Sequence, residues 1–182
     1  MRLFVALDLP PPVRQRLSFL AGGLPGARWV SPDNYHITLR FIGECVPHVC
    51  EEVDHALAAL RAPGFALTLS GVGVFDRNGR PAAVWAGVDR TRPLEHLQTK
   101  IETALQRIGL EPERKRFVPH LTLGRLGDVP RHKLAEWVQH HNLLRTEPVP
   151  VGHFTLFSSR LGKEQAVYEP EVEYELGEPV NA

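Results

Sequence analysis

The sequence is poor in cysteine, has no excess of either charge and lacks long apolar runs, and each absence excludes a class of protein. Two cysteines, Cys45 and Cys50, cannot build a disulfide framework, and no C-x2-C pair points to structural zinc. A reducing, cytoplasmic setting is expected. Lys+Arg and Asp+Glu are 21 each, so the formal net charge is zero and bulk electrostatics cannot hold the chain along duplex nucleic acid or an anionic membrane. Any phosphate chemistry must come from local groups. The apolar start RLFVAL is interrupted by Asp8 and Pro10 to Pro12, too soon for a signal-peptide core or a membrane span, and it reads as a first strand. No Walker loop or G-x-G-x-x-G is present, which leaves P-loop hydrolysis and dinucleotide binding without support. What is there is a chain of 182 residues with 43% hydrophobic and 23% charged residues, enough for one compact domain over 1–182 or two small packed lobes.

Periodicity gives an alternating order of strands and helices. A strand over 2–9 precedes a helix carrying Val13, Leu17, Leu20, Ala21 and Leu24 that stops at Gly22-Gly23. After a loop at 31–34, HITLRFIG at 36–43 alternates as a strand, and Pro47 opens a helix with Val53 and Leu57 on its inner face. Strands near 65–75 and 82–89 flank a turn at 76–79. Then the order repeats. A helix from Leu94 to Ile108 leads to HLTLGRLG at 120–127, Pro130 opens a fourth helix, and strands near 149–159 and 165–176 close the chain. Setting His36 over His120, 84 residues on, aligns the two HxTL strands, brings the two Val-Pro helix starts to within one residue of each other and brings 65–75 near 149–159. FVALD at 4–8 is matched by WAGVD at 85–89. The pattern is that of an internal duplication with pseudo-twofold symmetry.

Strand alternation puts His36, Thr38 and Arg40 on one face and Ile37, Leu39 and Phe41 on the other; His120 and Thr122 share the corresponding face of the second copy. Two imidazoles across a cleft suit phosphodiester cleavage, in which a base deprotonates the attacking water and an acid protonates the departing alkoxide. With an unperturbed pKa of about 6.5, two histidines can hold opposite protonation states near neutrality. The threonine hydroxyls and a nearby arginine are candidates to bind the non-bridging oxygens, and no metal is needed. Neither motif has the spacing of a zinc or di-metal site. His153 is read as a strand histidine without a partner, and the remaining histidines lie on or beside helices.

The segments NYHITLRFIGE at 34–44 and RFVPHLTLGR at 116–125 resemble the two HxTx motifs of the two-histidine phosphoesterases, specifically the bacterial RNA 2′,3′-cyclic phosphodiesterases, also called LigT-like 2′-5′ RNA ligases. The likeness runs over nearly the whole chain. It implies a bilobal α+β fold, with an antiparallel sheet in each lobe and a groove between them. It also implies hydrolysis of a terminal 2′,3′-cyclic phosphate to a 2′-phosphate with no metal or cofactor, His36 as proton donor, His120 as base, and Thr38 and Thr122 on the phosphate. Arg125 matches an arginine of that family, but strict alternation puts it opposite His120, so a bulge or strand end must redirect it. The substrates implied are RNA 3′ ends or small nucleotides bearing the cyclic phosphate, with no obligate protein partner; the alternatives are 2′-5′ ligation by the reverse reaction and a non-catalytic RNA-end binding module. Phe4, Trp29, Trp85, Phe117 and Tyr168 are the candidates for a base-stacking platform.

Overall fold

The computed structural model describes residues 1–180 and has an α+β architecture. In chain order the elements are β1 (Arg2–Asp8), α1 (Pro11–Ser18), β2 (Arg28–Trp29), a 3-10 turn at Pro32–Asn34, β3 (His36–Glu44), α2 (Pro47–Ala58), β4 (Phe65–Leu67), β5 (Leu69–Arg77) and β6 (Arg80–Val88). They are followed by α3 (Arg92–Arg107), β7 (His120–Arg125), α4 (Arg131–His141), β8 (Val149–Val151), β9 (His153–Arg160) and β10 (Val167–Glu175). Two four-stranded sheets have the orders β10-β9-β1-β3 and β2-β7-β6-β5, and β4 pairs with β8 in a short ribbon. All of these ladders are antiparallel. Among the described residues no helix is long and apolar enough to cross a membrane.

Proline sets the start of each helix. It stands in the first turn of α1, α2 and α3 and at the N-cap of α4, where its fixed φ suits helix entry and its missing N–H costs nothing. Thr91 caps α3 by accepting a hydrogen bond from the Leu94 N–H, and Gly109, at φ 99°, ends that helix. The fully buried stripe Leu94, Leu97, Ile101 and Leu105 anchors α3, each side chain contributing about 1.5–3 kcal/mol of transfer free energy. Asn78 and Gly79 both have positive φ, which lets β5 and β6 turn within two residues.

Three boundaries differ from the sequence reading, one of them at 149–159, where the single strand expected is β8 followed by β9. Helix α1 ends at Ser18 rather than at Gly22; Leu20 and Leu24 are buried all the same, but from a loop, and the Trp137 indole N–H donates to the Leu20 carbonyl. The single strand read at 65–75 is two strands, because β4 leaves the sheet to pair with β8.

The ribbon reveals how the halves are joined. Phe65 pairs with Val151, Leu67 with Val149, and Ala66 with its own counterpart, Pro150, so the pseudo-twofold axis runs through this ribbon. The halves also exchange strands. β5, from the first half, completes the sheet of β6 and β7, while β9, from the second, completes that of β1 and β3. The ladders also correct one alignment. Ala6 faces Thr38 and Trp85 faces Thr122, so 4–8 corresponds to 83–87 rather than to 85–89. One extensive core, with Val5, Leu7, Ile37, Val84, Ala86 and Leu121 among its members, backs both sheets. A separate small cluster, Phe4, Ala6 and Phe157 with Tyr168 against it, lies on the opposite face of the first sheet, where His36 is found.

Candidate active site

The same irregularity occurs in both halves. Val5 faces Arg40 and the next residue, Ala6, faces Thr38, so Leu39 is an extra residue in β3; Val84 faces Gly124 and Trp85 faces Thr122, so Leu123 is the extra residue in β7. A bulge of this kind resets the alternation. Leu39 and Arg40 are both buried, as are Leu123 and Gly124, and beyond them Phe41 and Arg125 return to the face carrying the histidines and threonines. This is the redirection that Arg125 requires, and its positive charge reaches His36.

The bulge removes Arg40 from the candidate surface. Instead of sharing a face with His36, Arg40 is 7% exposed and its Nε lies 2.5 Å from Glu102 of α3. Its guanidinium also donates to the carbonyls of Phe41 and Glu111. Partial burial disfavours the Glu102 charge, but the Arg40 guanidinium and donors from Glu113 and Gln106 outweigh it and hold the carboxyl below its usual range. Arg40 therefore pins the bulge and α3 together.

Each histidine is oriented by the carbonyl two residues before it. His36 Nδ1 lies 2.8 Å from the Asn34 oxygen and His120 Nδ1 lies 2.6 Å from the Val118 oxygen. A carbonyl only accepts, so Nδ1 carries the hydrogen in both rings and Nε2 is left for proton transfer. The acceptor loops are themselves tethered. Asn34 Nδ2 donates to the Ala166 carbonyl at 2.8 Å and to Gln165 Oε1 at 3.3 Å, and Gln165 Oε1 also accepts from the Ser31 N–H. In the second half Arg90 donates to the Phe117 carbonyl at 2.8 Å. Sequence reasoning missed this pair of tethers because they bring together residues far apart in the chain.

Burial lowers the pKa of both imidazoles. For His36 the Asn34 carbonyl opposes this, while the positive charges of His120 and Arg125 depress it further; for His120 burial is opposed by the Val118 carbonyl. Aromatic rings surround each one. Phe4 lies 5.0 Å from His36 and Tyr168 meets it edge-on at 5.2 Å, while Phe75 meets His120 edge-on at 4.7 Å with Trp85 at 6.4 Å. Trp85 occupies the place of Ala6, and the room comes from Gly73, where a Cβ would stand 2.1 Å from the indole. Thr38 and Thr122 are half-buried on the same faces as their histidines, and Arg125 is exposed with no ion pair among the described residues.

Other candidates fall outside this constellation. Trp29 lies tilted against Trp137 at 6.2 Å and packs over Gly124, and Phe117 packs partly buried against the core. His153 does have a partner: its Nε2 lies 3.0 Å from Asp8, and with Glu173 these form the one group of three potential metal ligands found among the described residues, which includes neither His36 nor His120. Two shallow depressions lie against α4, and neither is lined by His36 or His120.

Known proteins match this geometry closely. The family described as LigT like Phosphoesterase matches twice, over residues 7–85 and 88–168, in keeping with the repeat. An RNA 2′,3′-cyclic phosphodiesterase of Thermotoga maritima is 33% identical over 177 residues, covering 93% of this chain and 92% of that protein. The Escherichia coli protein of the same name is 36% identical over 67% of this chain and 70% of its own length. Among solved structures, one from Thermus thermophilus superposes with a TM-score of 0.79 at 26% identity over 98% of this chain and 99% of that one. E. coli LigT complexed with 3′-AMP does so with a TM-score of 0.76 at 29% identity, covering 96% and 97% of the two chains. With its fold, its doubled motif and these matches in agreement, the chain belongs to the LigT-like phosphoesterases.

Proposed function

We propose that the protein hydrolyses 2′,3′-cyclic phosphates at RNA 3′ ends, or on small nucleotides, to 2′-phosphates, by acid and base catalysis from His36 and His120 without a metal. The observation that carries this reading is the matched pair of imidazoles, each with Nδ1 fixed on a carbonyl and Nε2 free, on strands β3 and β7 that lie against one another. The relatives' name, RNA 2′,3′-cyclic phosphodiesterase, gives the substrate class.

His120 Nε2 takes a proton from water as the water oxygen bonds to phosphorus. The bond from phosphorus to the 3′ oxygen breaks, and His36 Nε2 delivers a proton to that oxygen, leaving a 2′-phosphate. Burial and the positive charge of Arg125 depress His36 and make its imidazolium the stronger acid, which suits the donor role, and the anionic substrate offsets the effect of that charge on its protonation. Thr38, Thr122 and Arg125 bind the non-bridging oxygens as charge builds on them. The whole of residues 1–182 acts as one catalytic domain, and a cytoplasmic location fits two cysteines left as free thiols.

The test is turnover of an oligonucleotide ending in a 2′,3′-cyclic phosphate, in EDTA, with identification of the product. A 2′-phosphate is expected, together with a loss of about 10²–10⁴-fold for His36→Ala and for His120→Ala and a bell-shaped pH profile. A 3′-phosphate, inhibition by EDTA, undiminished activity in either variant, or binding without turnover would overturn the mechanism.

A further inference from the structure

We propose that Asp8, His153 and Glu173 form a binding site for a divalent transition cation of the zinc type, on the same sheet as His36 but apart from the reacting groups. The exchange of strands creates it. Asp8 ends β1, His153 opens β9 and Glu173 lies on β10, so the ligands come from three adjacent strands and from both halves of the repeat. His153 Nε2 stands 3.0 Å from Asp8 Oδ1 and 3.9 Å from Glu173 Oε1, and the three ligand atoms all lie within 4.8 Å of one another. Tetrahedral zinc, with bonds of about 2.0–2.2 Å, holds its ligand atoms roughly 3.3 Å apart. The Glu173 side chain is 61% exposed, so a change of rotamer closes the remaining gap. One imidazole nitrogen with carboxylate oxygens suits zinc, cobalt or nickel, whereas magnesium and calcium keep to oxygen ligands. The ion takes the place of the hydrogen between His153 Nε2 and Asp8, and the imidazole stays neutral with its hydrogen on Nδ1.

Charge on this patch is unbalanced. Glu175, the register partner of His153, shares its face with Glu173, and none of the three carboxylates pairs with a lysine or arginine among the described residues. A dication supplies the missing positive charge. The hydroxyl of Thr155 supports the same reading. Thr155 is two residues from His153 on the same face of β9 and directly opposite Glu173, it is 1% exposed, and its Oγ1 is the one buried hydroxyl without a partner among the described residues. A ligating carboxylate is commonly held by a second hydrogen bond, and the oxygen that Glu173 leaves free of the ion can accept one from Thr155. The fold itself does not need a carboxylate here. Asp8 corresponds to Gly87 in the second half, where a Cβ would meet the Ser70 carbonyl at 2.5 Å. Asp8 is the register partner of His36, yet the His36 ring lies against Phe4 and Tyr168, and His36 is no member of the ligand group.

The experiment titrates the full chain, stripped of metal, with zinc chloride in a calorimeter. Wild type is expected to bind zinc at least about 10-fold more tightly than His153→Ala or Glu173→Gln. Glu173→Gln exchanges one exposed side chain for another of the same shape, so a loss there is not a folding defect. Cobalt(II) chloride then places the ion, since it takes zinc's ligands and is paramagnetic. In wild type it is expected to broaden the amide NMR signals of residues 7–9, 152–154 and 172–174 before any others. Absence of binding in wild type, equal affinity in wild type and either variant, or broadening that begins around His36 and His120, around His140 and His141 or around Cys45 and Cys50 overturns the site. Binding is read without turnover, so the site stands or falls apart from the hydrolytic reading.

Discussion

The two arms of the cleft have the same backbone irregularity and satisfy it by different means. In the first, β3 is a sheet edge; the Leu39 carbonyl accepts from the Gln98 side chain of α3 at 3.3 Å, and Arg40 binds the Phe41 carbonyl while paired with Glu102. In the second, the Leu123 carbonyl accepts from the Val30 N–H at 2.9 Å, beside the short strand β2, and Gly124 replaces Arg40 so that Trp29 can pack against the backbone. A bulge left to itself exposes unpaired backbone groups. That unrelated partners support the same bulge in both arms indicates that the bulge is the constrained feature, because it aims residue 41 or 125 at the groove.

Removing a support should therefore cost one arm far more than the other. Replacing Arg40 by Leu leaves the half-buried Glu102 carboxylate and two carbonyls without their guanidinium donor, and is expected to lower stability by about 3–5 kcal/mol in urea titrations, with Arg40→Leu/Glu102→Leu recovering most of it. An equal loss in the double variant would mean that the pair does not hold the bulge. At the far end of the other arm, Arg125→Ala should lower kcat by about 10²-fold as a donor to the phosphate is lost. The same change has a sign that can be checked without substrate. Positive charge at Arg125 depresses His36, so its removal must raise the His36 pKa toward the ordinary imidazole value, while His120, depressed chiefly by burial, stays put in an NMR titration. The smallest effect is expected at the tether of the first arm. Gln165→Ala removes the one oxygen that accepts from both Ser31 and Asn34 and loosens the carbonyl that fixes His36 Nδ1, lowering kcat by roughly 2- to 10-fold, in line with about 0.5–1.5 kcal/mol for a hydrogen bond. The His36 ring nitrogen shifts should show a mixture of tautomers; if only KM or thermal stability moves, the tether does not act through His36.

These comparisons also show what could be read from the sequence. The paired His-x-Thr strands, the proline helix starts and the repeat were visible because each is local: alternation, a fixed φ, a fixed offset. The bulges were not. One extra residue leaves ITLRF looking like a regular strand, which put Arg40 on the wrong face and hid Phe41 among core positions. The signals available were a glycine within β7, common where a strand bulges, and the unmet need of Arg125 to change sides. Strand exchange was equally hidden, since the pattern of 65–75 says which face is apolar and nothing about which half supplies its neighbour. The Asp8 and His153 pair likewise joins β1 to β9, residues that only the exchanged topology makes adjacent.

The strand exchange also limits how the cleft can move. A pair of lobes on a single linker can swing like jaws, and the distance between their reactive groups then fluctuates with the hinge. Here β5 and β9 each cross to the other sheet and β4 is laced to β8 on the axis itself, so the sheets are joined by two strand crossings and a backbone ladder that resist a jaw-like opening of the groove. The cleft is a fixed-gauge tool. The span between the imidazoles is set when the chain folds, and a cyclic phosphate has to fit that span.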